Sequence, residues 1–252
     1  MARITLTPAP GQMSASATDV PAFPDERFGF GIPECIGDSA RPVWFGGVEP
    51  KWEERDGGAF ETSGRVEGEL EYSALLTPFE DHVDLNMKVT NLSDRDWAHA
   101  MAFNCFQCGG ALSVGDHECL RHWVGWRGEL RRLIEVPRHC GPRPAVQLYG
   151  VDGAPPWEDI PFVARFACSP PDVALEGWMA IVSRDGSRLV ATVSRPCLCL
   201  FQNMEYSCIH ASPWMGRLGP GETGTALNRA YFVESSLEAW HARMVTEMAE
   251  EG

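Results

Sequence analysis

Residues 82–110, HVDLNMKVTNLSDRDWAHAMAFNCFQCGG, tie the chain to a β architecture more firmly than any other stretch. Val83, Leu85, Met87 and Val89 alternate with His82, Asp84, Asn86 and Lys88. Successive side chains of a strand point to opposite faces, so this is a strand with one apolar face. Asn91, Ser93 and Asp94 then interrupt it with turn chemistry. From Trp97 to Phe106 the chain is apolar enough for a strand covered on both faces. Yet it carries Asn104 and Cys105 and runs on into Gln107 and Cys108. Buried polar groups need partners, so the end of this strand is the first place to look for chemistry.

Strand signals recur through the rest of the chain. Val66, Leu70, Tyr72 and Ala74 share one parity, with Glu67, Glu69 and Glu71 on the other. Residues 178–193 read as a hairpin around Asp185-Gly186, a favoured tight-turn pair. Further strands are expected at 145–150, 162–168, 197–202, 206–210 and 226–233. Regularly spaced short strands argue for a sandwich or barrel. Residues 8–43, rich in proline and glycine, are expected to form an irregular lead-in. Residues 137–161 hold six of the 19 prolines and are expected to form a long loop over one end. One helix is predicted at 236–249, with Ser235 as cap and Glu238 at capping-box spacing. Leu237, Trp240, His241, Met244, Val245 and Met248 make one apolar stripe along it. The reading is a single all-β domain over 1–252: a large antiparallel β-sandwich with one C-terminal α-helix.

Composition narrows the partners. The formal net charge of -14 repels phosphate backbones, which argues against nucleic acid. No apolar run approaches the ~20 residues of a membrane helix, and the first residues lack the apolar core of a secretory signal. The protein is therefore expected in the cytoplasm, where its nine cysteines are read as free thiols.

Three clusters can carry chemistry. In 104–110 the C-x-x-C of Cys105 and Cys108 has poor geometry for one ion, because residues three apart on a strand face opposite ways. These two are read as structural thiols. In 203–210, Tyr206, Cys208 and His210 share a parity, and Glu205 is the nearest carboxylate. In 117–123, His117, Cys119, Arg121 and Trp123 share a face if the segment is a strand. His210 and Glu205 are the candidate catalytic pair, since imidazole titrates near neutral pH. Asn104, Gln107, Arg121 and Trp123 are the candidate ligand-binding groups. Asn104, Arg121, Glu205 and His210 are expected to meet in one pocket. No cofactor is expected; the alternative is a divalent metal at Cys208 and His210.

Val89-Thr90-Asn91-Leu92-Ser93-Asp94, followed by Phe103-Asn104-Cys105-Phe106, resembles the aldose 1-epimerase (galactose mutarotase-like) superfamily. So does Cys208-Ile209-His210 followed by Leu218-Gly219-Pro220-Gly221-Glu222. The resemblance implies a β-sandwich, a small-molecule carbohydrate partner and isomerase or lyase-like chemistry. It would place a general-acid His where Cys105 stands and a general-base Glu near Cys208 or His210. The catalytic positions thus depart from the pattern, so a sugar-binding or sugar-modifying relative with altered chemistry is expected. Its rivals are a metal-dependent enzyme with a His/Cys site and a non-catalytic interaction subunit. The helix stripe offers a surface for a homo-oligomer.

Overall fold

The computed structural model describes residues 3–45, 49–138, 145–156, 159–160 and 168–250. Eighteen strands are found among them. The first nine are β1 (Thr5–Pro8), β2 (Ser14–Thr18), β3 (Phe28–Asp38), β4 (Val43–Trp44), β5 (Glu53–Arg55), β6 (Ala59–Val66), β7 (Leu70–Pro78), β8 (His82–Asn91) and β9 (Trp97–Gln107). The rest are β10 (His122–Trp126), β11 (Glu129–Arg132), β12 (Val146–Val151), β13 (Ala174–Leu175), β14 (Trp178–Val182), β15 (Leu189–Arg195), β16 (Cys197–Asn203), β17 (Cys208–Leu218) and β18 (Thr223–Val233). One helix, α1 (Leu237–Glu250), follows.

The pairings build two antiparallel sheets. The front sheet runs β1-β2-β3-β9-β17-β16-β12, with β4 beside β3. The back sheet runs β5-β6-β7-β8-β18-β15-β14-β10-β11. A short parallel pairing of β12 with β13 joins them at one margin. The inner faces meet in an aromatic core. Phe28 and Phe106 of the front sheet lie 4.8 Å and 5.3 Å, ring to ring, from Phe232 of the back sheet. Val83, Leu85, Met87 and Val89 all point into this core, as their alternation predicts. The all-β sandwich expected from the sequence is the fold observed.

The two motif-bearing turns dock on each other. Asn91 Nδ2 donates to Leu218 O at 3.1 Å, and Gly221 N donates to Asn91 O at 2.7 Å. Asn91 Oδ1 accepts from Ser93 N and Oγ, so the Asn91-Leu92-Ser93 turn is a closed hydrogen-bond unit.

Several expectations need correction. The lead-in over 8–43 is not irregular: it contains β3, an eleven-residue strand paired with β9. The loop predicted over 137–161 contains β12, which matches the strand expected at 145–150. The strand expected at 162–168 lies outside the described residues except for Cys168. Val66 closes β6 rather than opening β7, because a turn at Glu67 and Gly68 separates them. The strand expected over 206–210 begins only at Cys208 and runs on to Leu218. The segment 117–121 is a loop and not a strand, with Cys119 at φ 56°.

The helix forms as predicted, but its cap shifts by one. Ala239 N donates to Ser236 Oγ at 3.2 Å, so Ser236 rather than Ser235 satisfies the first turn. Leu237, Trp240, Met244 and Met248 pack on Trp178, Tyr231 and Val233, which cover the outer face of the back sheet. His241 stays at the margin, 3.1 Å from Glu176 Oε2. Four residues of the stripe are thus buried within the chain, with Trp240 1% exposed, while Val245 stays at the surface.

Candidate functional site

The outer face of the front sheet carries the site. On β9 and β17 the register pairs Cys208 with Gln107 and Ile209 with Phe106. Alternation then puts Cys105 and Gln107 of β9 on the same outer face as Cys208 and His210 of β17. The thiol sulfurs of Cys105 and Cys208 and a ring nitrogen of His210 all lie within 4.8 Å of one another, and all three residues are buried. Cys208 Sγ is 3.3 Å from His210 Nε2.

A bulge in β3 supplies the carboxylate. Gly31 pairs with Cys105 and Cys35 with Phe103, so Ile32, Pro33 and Glu34 stand opposite Asn104 alone. Such a bulge re-aims a side chain and recurs beside functional sites, and here it turns Glu34 onto the thiol cluster. Gly31 leaves the space for it: a Cβ there would lie 3.0 Å from Glu34 Cγ and 3.4 Å from Cys105 Cβ. Glu34 lines a cleft of about 460 Å³ with Trp44, Phe103, Cys105, Gln107, Val146, Phe201, Asn203, Tyr206, Cys208 and His210. A second hollow of about 710 Å³ continues past Glu34, Trp44 and Gln107. Trp44 at 42% and Tyr206 at 63% exposure border the opening.

His210 is held by rings. Phe103 lies tilted at 4.6 Å and Phe201 edge-on at 4.8 Å from its centroid. Its Nδ1 is buried and without a hydrogen-bond partner among the described residues. The aromatic walls fix the plane of the imidazole and leave its polar edge to Cys208 and the cleft.

The cluster separates its charges. The contact with Cys105, outweighing burial and aided by the neighbouring His210, brings the Cys208 thiol below its ordinary value. The same contact, with burial behind it, pushes the Cys105 thiol well above its ordinary value. The pair is driven apart, Cys208 downward and Cys105 upward. Burial raises the Glu34 carboxyl, against the pull of His210 and with the push of Cys208. One fold face therefore holds a thiol shifted downward beside a carboxyl shifted upward. Groups driven apart in this way mark acid and base roles.

Only part of the predicted constellation meets here. His210 and Gln107 line the cleft. Asn104 faces the opposite way, into the sandwich, where its Nδ2 donates to Asn228 Oδ1 at 3.3 Å. Asn228 in turn donates to Val193 O at 2.8 Å and Ser194 Oγ at 2.9 Å, so Asn104 belongs to a buried structural network. Glu205 sits exposed on the turn between β16 and β17, its N–H bound to Asn203 Oδ1. Arg121 pins a loop: it donates to Val182 O at 2.7 Å and Gly115 O at 2.6 Å. Trp123 packs beside the cluster under α1, on the back sheet. The carboxylate next to His210 is Glu34, which lay hidden in the supposed lead-in.

Cys108 is also accounted for. It is buried in the sandwich core, facing away from Cys105 as the parity argument expects. Cys105 finds its partners across the strand pair and not along its own chain.

No protein-family model matches the chain, and no curated protein matches it in sequence. Among solved structures, the chain is similar to a galactose mutarotase-like protein from Lactobacillus casei ATCC 334, at 9% identity and TM-score 0.47, over 92% of this chain and 100% of that one. It is similar to a galactose mutarotase related enzyme from Lactobacillus acidophilus, at 10% identity and TM-score 0.46, over 93% and 98% of the two chains. A galactose mutarotase-like protein from Clostridium acetobutylicum aligns at 8% identity and TM-score 0.42, over 76% and 68%.

Proposed function

We propose that the front-sheet cleft binds a small hydroxyl-rich molecule of the sugar class and that the cluster at its floor moves protons on it. One observation carries the reading: Glu34, Cys105, Cys208 and His210, from three strands, converge on one side of a half-open cleft. Ligand sites of this size combine apolar walls with a few converging polar groups. Trp44 and Tyr206 offer faces to a ring, while Gln107 and Asn203 offer hydrogen bonds to hydroxyls. Opening or isomerising a cyclic sugar requires a proton taken from one oxygen and a proton given to another. Glu34 is the donor in this scheme, and the Cys208–His210 side is the acceptor. The departures from the family-like pattern at Cys105 and Cys208 become a change of acid–base groups on the same sheet face.

The test is a panel of aldoses and uronic acids followed by NMR, reading both binding and the exchange of anomers. His210→Ala should abolish exchange while binding survives at reduced affinity. Glu34→Gln should keep binding and lose exchange. If the folded wild-type chain neither binds nor interconverts any member of the panel, the sugar reading is wrong.

A further inference from the structure

We propose that Cys105, Cys208 and His210 form a three-ligand zinc site whose fourth position faces the cleft. The inference goes beyond the sugar reading and stands whether or not the cleft takes a sugar; with an ion held there, Cys208 and His210 would be ligands, and the proton-accepting role given to them above would pass to a water at the fourth position. Three observations support it.

The first is donor geometry. Bonds of ~2.3 Å to sulfur and ~2.0 Å to nitrogen put the donors of a tetrahedral zinc about 3.5–3.8 Å apart. The three donor atoms here lie within 4.8 Å of one another, with Cys208 Sγ and His210 Nε2 at 3.3 Å. Small rotamer adjustments bring such a set around an ion.

The second is donor chemistry. Two sulfurs and an imidazole suit zinc, whereas calcium, magnesium and manganese favour oxygen. The set is a Cys2His group of the kind that leaves zinc one position for water or substrate.

The third is the way the set is held. All three ligands come from two adjacent strands of one sheet, so their spacing is fixed by β9–β17 hydrogen bonding and not by a loop. Phe103 and Phe201 fix the ring plane of His210. Its Nε2 lies 3.3 Å from Cys208 Sγ, so that nitrogen is the one turned to the ion. The three ligands and Glu34 line the same cleft, so Glu34 would be the carboxyl placed to exchange a proton with a group at the fourth position.

The C-x-x-C motif is thereby divided. Cys105 joins the site with Cys208 and His210, while Cys108 takes no part.

The experiment uses the full chain, purified under reducing conditions and without a polyhistidine tag. Elemental analysis should find one zinc per chain. Cobalt added to the metal-free protein should give the thiolate-to-metal charge-transfer band and the strong visible bands of a tetrahedral site. Cys105→Ser and Cys208→Ser should each lose the charge-transfer intensity of one thiolate and weaken zinc at least tenfold, while Cys168→Ser keeps both signals. Circular dichroism identifies variants that fold; if both serine variants fail to fold, cobalt titration of the wild type decides alone. A reduced wild-type chain that holds no zinc and gives no thiolate–cobalt band overturns the proposal. So does a folded Cys208→Ser variant whose cobalt spectrum is unchanged. Sugar exchange without zinc removes the metal and leaves the sugar reading; zinc without sugar binding does the reverse.

Discussion

His122 and Asp116 show how a single buried pair writes itself into the pH response. His122 is fully buried and lies with Nδ1 2.9 Å from Asp116 Oδ2. Burial, outweighing the pull of Asp116, holds the imidazole below its ordinary value. Burial would raise Asp116, but hydrogen bonds from His122 and from the Arg121 N–H bring it below the usual carboxylate range. The folded pair is a carboxylate with a neutral imidazole that donates to it. A histidine whose folded value is depressed takes up more protons when unfolded. Its contribution to stability is therefore complete above the unfolded value of about 6.5 and is lost as pH falls below it. Urea midpoints measured between pH 8 and pH 5 should fall through this window. His122→Asn keeps an N–H for Asp116 and should flatten that part of the profile. An unchanged slope in the variant would assign the proton uptake elsewhere.

Among the elements, α1 and β3 mark the two ends of what can be read from a sequence. The stripe of α1 survives as a stripe because a helix buries one side against a single surface. Its energetics follow directly. Ser236→Ala should cost about 1 kcal/mol through the lost cap, while Ser235→Ala should cost little. Trp240→Ala should cost about 3–5 kcal/mol, as for large aromatic truncations in a packed core. Denaturant unfolding checks all three, and equal costs at Ser235 and Ser236 would refute the cap assignment. β3 is the opposite case. Phe28, Phe30 and Ile32 share a parity, but the bulge at Ile32–Glu34 shifts the alternation, and glycines at 29, 31 and 37 with Pro33 give the segment the composition of a loop. The feature that hides the strand is the one that aims Glu34. In β17 the partnership of Cys208 and His210 is local and visible at spacing two. Their contact with Cys105 depends on which strand lies next to which, and single-strand periodicity holds no information about that.

For the molecule as a whole, the two outer faces have different fates. The back sheet is sealed by α1, whose buried side chains meet Trp178, Tyr231 and Val233. The front sheet keeps a cleft open beside a smaller apolar cluster that includes Phe103, Val146 and Phe201. Among the described residues no helix is long and apolar enough to cross a membrane. Removing residues 237–250 would bare a large aromatic patch, and patches of that kind drive association. The shortened chain should self-associate in light scattering at concentrations where the full chain does not, and should do so less when Trp178 and Tyr231 are made polar. A shortened chain that scatters like the full one would mean the patch is closed by other means. The alternation of sides along β9 has one more consequence. Asn104 serves the interior network and Cys105 the cleft, although they are neighbours in the chain. Inserting or deleting one residue upstream in β9 would exchange these duties along the following pairs, turning Asn104 and Cys108 toward the cleft and Cys105 and Gln107 toward the interior at once. Descendants of this chain can alter its chemistry by replacing residues, but a change in the length of this strand disturbs site and core together.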